Sequence, residues 1–276
     1  MRLDAYVAKY WPEYSRSVWQ KYIQSGYVSI NGTVETSTKR TLKEDDEVTY
    51  EIPDKPNHSE QSLPVIFSDD NVIVINKPAG ILTHSKGALN DEFTVAEHLR
   101  PLTSYHSDTN RPGIIHRLDR DTSGVIMGAR NEETASLLQR QFSDRKVKKV
   151  YYAVVDGIPK ETEALIDLPI ARNPNAPSTF RVDVNGKSAQ TTYKVLASDG
   201  KRSLIELRPT TGRTHQLRVH MAYLGTPIHG DKVYGKQSDR LYLHAASLEI
   251  TIPKGDRRIF EVPIPVEFKQ LIDDNE

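Results

Sequence analysis

The sequence contains no cysteine. That absence excludes disulfides, thiolate zinc sites and a cysteine nucleophile, and it fits a reducing compartment, so a cytoplasmic protein is the expectation. Net charge is missing as well: 37 Lys and Arg residues balance 37 Asp and Glu. No partner follows from charge excess, and a nucleic-acid surface would have to arise by segregation of charge. Long apolar runs are also lacking. The opening MRLDAYVAKYWPEY is interrupted by charges and a proline, so it reads as neither signal peptide nor membrane span. No later run has the length to cross a bilayer, and there is no internal repeat or low-complexity segment. What is present is 276 residues, enough for one large core or for two domains of a soluble protein.

Residues 1–53 read as a compact unit. Leu3, Tyr6 and Val7 have helical spacing. Ser15 suits the cap of a second helix, in which Val18, Trp19, Tyr22 and Ile23 form the apolar stripe and Gly26 the stop. YVSI and TVE, joined by Asn31-Gly32, give a hairpin signal, and DEVTYEI reads as a closing strand. Residues 54–63 are polar, rich in proline and without apolar period, which predicts a linker. From residue 64 the pattern changes. PVIFSDDNVIVINKPAG reads as two strands around a turn, and TVAEHLRPL and NEETASLLQRQFSDR as helices. After Lys149 strands dominate, with THQLRVHMAYLG a further helix. Strands bracketed by a few helices, without βαβ alternation, predict an α+β catalytic domain over residues 64–276, with a mixed, largely antiparallel central sheet.

Three segments can carry chemistry. In HRLDRDTSG, residues 116–124, Asp119 lies between Arg117 and Arg120, with Asp121 following. Nearby positive charge favours an ionised carboxylate, hence a nucleophile, a base or an electrostatic partner rather than a general acid. Thr122, Ser123 and Gly124 suit a turn. The bland alternative is a pair of loop carboxylates offsetting arginines, and spacing alone favours it. In RKVKKVYYAVVDG, residues 145–157, a basic run leads into a strand that places Tyr151, Ala153 and Val155 on one face. Lysines beside an aromatic suit RNA phosphates and a stacked base, although a charged turn entering a core strand looks the same. In residues 208–235, Arg213 and Arg218 can clamp a phosphate or pair with a carboxylate. His215 and His220 are spaced i, i+5, off the i, i+4 pairing of a helical zinc site, so no metal is expected there. Hydrogen-bonded structural roles are the favoured reading of these histidines.

Taken together and in order, HRLDRDTSG, KVYYAVVDG and TGRTHQLRVHMAYLGTPIHGD resemble the RluA family of pseudouridine synthases, and NVIVINKPAG resembles that family's opening strand. Residues 1–53 are similar to an S4 RNA-binding domain. The pairing implies action on large ribosomal subunit RNA. The implied reaction breaks the N1–C1′ bond of a uridine, turns the uracil and rejoins it through C5. It is redox-neutral, so the resemblance implies no cofactor and no nucleotide. By position, Asp119 matches the essential aspartate, Tyr151 the tyrosine that stacks on the target base and can assist proton removal at C5, and Arg218 the basic residue that pairs with the carboxylate. Leu217 matches the apolar residue beneath the site, and Arg117 the arginine that helps displace the nucleotide. Arg213 and His116, in the same stretches, join them as substrate-binding candidates. Asp121 and Arg120 are expected to form a local structural pair.

In the small domain, Arg2, Lys9, Arg16, Lys21, Lys39, Arg40 and Lys43 are expected to form a positive face, opposed by Glu44 to Glu47. The partner implied is RNA, with the protein a monomer. Three alternatives compete: the same chemistry on transfer RNA, a non-catalytic RNA-binding or assembly factor, and a glycoside hydrolase using Asp119 and Asp121. The last ranks lowest, because i, i+2 spacing and the absence of an acid partner suit it poorly.

Overall fold

The computed structural model describes residues 1–54, 56–58, 60–85 and 92–273. Within the expected linker, Lys55 and Ser59 lie outside the described residues. The chain divides into two compact units, one built on residues 1–60 and the other on residues 61–84 and 93 onward.

In the first unit, helices α1 (Leu3–Tyr10) and α2 (Arg16–Gln24) pack beside strands β1 (Val28–Ile30), β2 (Thr33–Val34) and β3 (Val48–Tyr50), in the sheet order β2-β1-β3. Ser15 precedes α2 in an extended conformation, and Gly26 follows it at φ 82°. Asn31 and Gly32 both have positive φ, as a two-residue hairpin turn demands. Leu3, Val7, Trp19, Ile23 and Val28 are fully buried, which accounts for the helical spacing of the first two.

The second unit is organised on one sheet. Its elements are β4 (Val65–Ser68), β5 (Val72–Lys77), α3 (Val95–Leu99), β6 (Ser123–Ala129), α4 (Glu132–Ser143), β7 (Lys148–Asp156), β8 (Glu163–Asp167), β9 (Ile170–Arg172), β10 (Phe180–Val182), β11 (Gln190–Ser198), β12 (Arg202–Pro209), α5 (Gln216–Tyr223), β13 (Leu243–Thr251), β14 (Arg257–Glu261) and α6 (Val266–Asp273). The order is β4-β5-β6-β13-β7-β12-β11-β8, with β14 added to β13 and β9 and β10 forming a separate ribbon. Among pairings between these strands, only β6–β13 is parallel. The fold is therefore α+β with a mixed, largely antiparallel sheet, as the element pattern predicts.

Asn131 caps α4, its side chain accepting the Thr134 N–H. Ala135 and Leu138 of α4 join Val125, Met127 and Leu248 in one core cluster. A second cluster holds Ala153, Val155, Ile205, Leu207, Leu217 and Met221 on the other half of the sheet, each of its larger aliphatic groups contributing roughly 1.5–3 kcal/mol by burial. One sequence expectation changes. Ser123 and Gly124 open the buried strand β6, and the turn sits just before them at Arg120 and Asp121. Strands β8 to β10 carry too weak a pattern to be expected, and helix α6, although Phe268, Leu271 and Ile272 have helical spacing, is a further element that the sequence reading lacks. The strands are short and weakly alternating, while α6 buries only Phe268 and Ile272.

Register decides what the sheet presents. Gly124 of β6 pairs with Ala245 of β13, Ala245 pairs with Tyr151 of β7, and Tyr151 pairs with Leu207 of β12. One row across the middle of the sheet thus runs from the end of the HRLDRDTSG segment to Tyr151. It needs a glycine: φ is 112°, and a Cβ on Gly124 would stand 2.1 Å from the Ala245 carbonyl oxygen.

Candidate active site

Asp119 lies in the loop that feeds β6, and the backbone on each side of it is fastened. Leu118 exchanges hydrogen bonds with the Thr83 hydroxyl, donating its N–H at 3.2 Å and accepting the hydroxyl proton at 2.7 Å. The Arg120 carbonyl accepts from the Gly80 N–H and from Lys77 Nζ, each at 2.9 Å. Lys77 is fully buried and also donates to the Pro78 and Ile81 carbonyls, at 2.9 and 2.8 Å. Burial pushes its ammonium pKa down to about 7, against the attraction of Asp121 and Asp119. The NKPAG segment therefore clamps the aspartate loop.

The Asp119 side chain, one-fifth exposed (20%), faces two groups from the start of α5. Arg218 Nη1 is 3.6 Å and His215 Nε2 is 3.8 Å from the same carboxylate oxygen, Oδ2. The family resemblance implies that Arg218 holds this carboxylate directly, but its fork is taken elsewhere. Nε and Nη2 donate to the two oxygens of Asp231, each at 2.7 Å, in a bidentate pair. Asp231 is buried and also accepts the N–H groups of Val233 and Tyr234. Burial pushes the Asp231 carboxyl up, and the Arg218 bonds and charge outweigh that, so its pKa lies below the ordinary value. Arg218 is held above its own ordinary value, as burial works against the charge and Asp231, then Asp119, favour it. Gly230 makes the Asp231 turn possible, since φ is 76° and a Cβ would meet the Arg240 carbonyl oxygen at 1.7 Å.

Asp119, Tyr151, Leu217 and Arg218 line one pocket of about 520 Å³, within the range of small-molecule sites. Arg117, Arg213 and His116 line it too, as do Arg145 and Lys149. All seven sequence candidates are therefore gathered in one place. Tyr151 packs its apolar part into the core clusters. Burial, with the Asp119 charge adding, pushes its hydroxyl pKa well above the ordinary value. Lys149 donates to the Thr211 carbonyl at 3.0 Å, and burial pushes it down to about 8. His116 has a structural attachment: its Nε2 accepts the Met127 N–H at 2.9 Å, its ring stacks on Phe142, and burial pushes its pKa down to about 3. Arg213 Nε donates to the Ser188 carbonyl at 3.0 Å.

Outside the pocket, Asp121 pairs with Lys232 at 3.3 Å, and Arg120 Nη1 reaches the Gly80 carbonyl at 3.5 Å. His220 is engaged at both ring nitrogens, by the Thr191 hydroxyl and the Leu168 carbonyl, in keeping with a structural role. Sequence reasoning missed Asp231 and Tyr234, and gave His215 no part. The signal available was a lone acid and a tyrosine in HGDKVYG, a short way beyond α5.

A family model described as RNA pseudouridylate synthase matches residues 71–223, and one described as S4 domain matches residues 1–48. The chain is 36% identical to the ribosomal large subunit pseudouridine synthase D of Borreliella burgdorferi, over 97% of this chain and 87% of that protein. It is 35% identical to an uncharacterized RNA pseudouridine synthase of Aquifex aeolicus, over 98% of this chain and 92% of that one. The structure of human RNA pseudouridylate synthase domain containing 1 superposes with TM-score 0.62 at 27% identity, covering 80% of this chain and 89% of that one. These matches coincide with the pocket that gathers Asp119, Tyr151 and Arg218, and the chain belongs to the RNA pseudouridylate synthase family, with an S4 domain preceding the synthase region.

Proposed function

We propose that this enzyme isomerises specific uridines of large ribosomal subunit RNA and that Asp119 is its catalytic carboxylate. The observation that carries the assignment is the setting of Asp119. Its loop is clamped on both sides, yet the side chain opens into the pocket with its nearest cation, Arg218, standing 3.6 Å away. A carboxylate placed this way is available to C1′, to the uracil ring or to a ribose proton. Tyr151 offers its ring face to the extruded base. Its raised pKa keeps the phenol protonated and works against a phenolate base. Leu217 floors the pocket. Arg117, exposed at its rim, engages the RNA as the nucleotide leaves the helix, a step that costs about a few kcal/mol. Arg213 and His116 complete the substrate wall.

The large-subunit RNA assignment is supported by the name of the Borreliella burgdorferi relative and by the S4 domain. Residues 1–53 serve as the RNA anchor, 54–63 as linker and 64–276 as the catalytic domain of a cytoplasmic monomer. In that anchor, two of the expected basic residues, Arg2 and Arg16, already fork onto the buried Asp4. Arg40 also faces a carboxylate, that of Glu35 at 3.9 Å, and the phosphate contacts are therefore assigned first to Lys9, Lys21, Lys39 and Lys43.

The test uses unmodified large-subunit RNA, incubated with wild type and with Asp119→Asn without metal or nucleotide, followed by pseudouridine mapping. Site-specific product from wild type alone is expected. Product from transfer RNA instead would move the substrate, and equal product from Asp119→Asn would remove the aspartate from its role.

A further inference from the structure

The groups facing Asp119 share a support that lies outside the pocket lining. Tyr234 stands in the turn after Asp231, its backbone N–H bonded to Asp231 Oδ1 at 3.1 Å. The Arg218 guanidinium lies over its ring, 5.1 Å from the centroid. Its hydroxyl oxygen accepts the Phe180 N–H at 2.8 Å and lies 2.8 Å from His215 Nδ1. Among the described residues, His215 Nδ1 is the acceptor within reach of the phenolic proton. Neutral His215 must then carry its own proton on the other nitrogen, Nε2. Nε2 is the atom that faces Asp119 Oδ2, at 3.8 Å.

The backbone points the same way. His215 is the residue preceding α5 and sits at φ 57°, ψ 17°, a conformation that non-glycine residues rarely adopt. That conformation sets the ring edge-on to both Phe180 and Tyr234, with centroids 5.6 Å away in each case.

We propose that His215 is a positioning residue that donates its Nε2 proton to the Asp119 carboxylate in the reacting complex, with its tautomer fixed by Tyr234. The inference rests on the reading of Asp119 as the catalytic carboxylate. A separation of 3.8 Å exceeds a hydrogen bond. Such contacts tighten when substrate fills a site, and closing this one takes a shift of about 1 Å.

The test has two independent arms on the full chain. Ring-¹⁵N histidine NMR, with the His215 signals assigned from their loss in His215→Asn, should show Nε2 protonated and Nδ1 bare. In Tyr234→Phe the two tautomers should mix. A wild-type ring protonated on Nδ1 overturns the proposal. In kinetics, His215→Asn tolerates the left-handed backbone but is too short to reach Asp119, whereas His215→Gln carries an amide donor near the Nε2 position. His215→Asn should lower kcat by about 10- to 100-fold with KM within about threefold, and His215→Gln should recover most of the loss. Tyr234→Phe, which leaves the strained backbone untouched, should lower kcat by about tenfold while its thermal melt stays near wild type. Full kcat in both His215→Asn and Tyr234→Phe overturns the proposal. If Asp119→Asn keeps its activity, the catalytic reading of Asp119 fails, and the NMR arm still reports whether the tautomer is fixed.

Discussion

Two carboxylates, one in each unit, meet arginines in opposite ways. Asp4 in the first unit is fully buried and saturated: Arg2 and Arg16 each fork onto it at 3.0–3.2 Å, and Gln20 donates at 2.7 Å. Asp119 in the second unit is partly open, and its two facing groups stop at 3.6 and 3.8 Å. A carboxylate whose lone pairs are all used is a structural anchor. One that is faced by a cation and an imidazole at longer range keeps its oxygens for a reagent. Asp231 belongs with Asp4 in this contrast, since it takes the whole Arg218 fork. The arrangement gives Asp119 a positive neighbour without giving that neighbour its lone pairs.

The contrast is most sharply broken at Asp119 itself. Asp119→Asn should reduce single-turnover pseudouridine formation by roughly 10⁴-fold or more, the scale on which loss of one member of a catalytic triad acts. It should alter the thermal melt little, because no short, bidentate pair is lost. A large drop in stability would place Asp119 with Asp4 as an anchor.

Asp231→Ala comes next. It leaves the buried Arg218 charge uncompensated, which should cost about 3–5 kcal/mol in a denaturant titration of the full chain followed by circular dichroism. Activity should fall with it. Asp231→Ala with wild-type stability would show that Asp119 can take over the fork.

Asp4→Ala should cost about 1–3 kcal/mol, less because the arginines it strands are half exposed. The effect can be read selectively. Both tryptophans, Trp11 and Trp19, belong to the first unit, so tryptophan fluorescence, excited beyond the tyrosine band, follows that unit alone. The pH dependence has a definite sign. Burial raises the Asp4 carboxyl, but hydrogen bonds from Gln20, Arg2 and Arg16 outweigh it, so the folded pKa lies below 3.8. A depressed carboxylate contributes stability that is present above its unfolded pKa and lost as pH falls through the folded one. Fluorescence-detected acid unfolding should therefore occur below about pH 4 in wild type, and Asp4→Ala should flatten that acid limb.

The smallest effect is expected two residues from the largest. Asp121 pairs with an exposed lysine, Lys232, so Asp121→Asn should change stability by no more than about 0.5 kcal/mol. Its activity should stay within about threefold of wild type. A loss as deep as that of Asp119→Asn would revive a two-carboxylate reaction, and free uracil among the products would identify it.

Much of the fold and of the site is legible in the sequence. The 3.6-residue stripe of α2, the Asn31-Gly32 turn and the continuous apolar run of β7 are local signals, and the elements stand where they point. Asp119, Tyr151, Leu217 and Arg218 are legible as a set because three separated segments carry chemistry-bearing residues in a recognisable order, and one pocket collects them. Strand β6 is hidden because Ser123 and Gly124 have turn-forming chemistry, while its burial comes from pairing with β5 and β13. The partner of Arg218 is hidden for a related reason. Adjacent arginines make Asp119 the obvious acid, whereas the fork goes to Asp231, 13 residues along the chain.

The sequence by itself determined which residue types are available and the periods that make helices and strands, because those depend on interactions within a few residues. Tertiary structure alone decided which carboxylate receives the arginine fork, which stands off at 3.6 Å, and which histidine nitrogen faces it. Those outcomes turn on differences of about 1 Å between side chains from loops and one helix that are distant in the chain, a scale on which a hydrogen bond is made or lost.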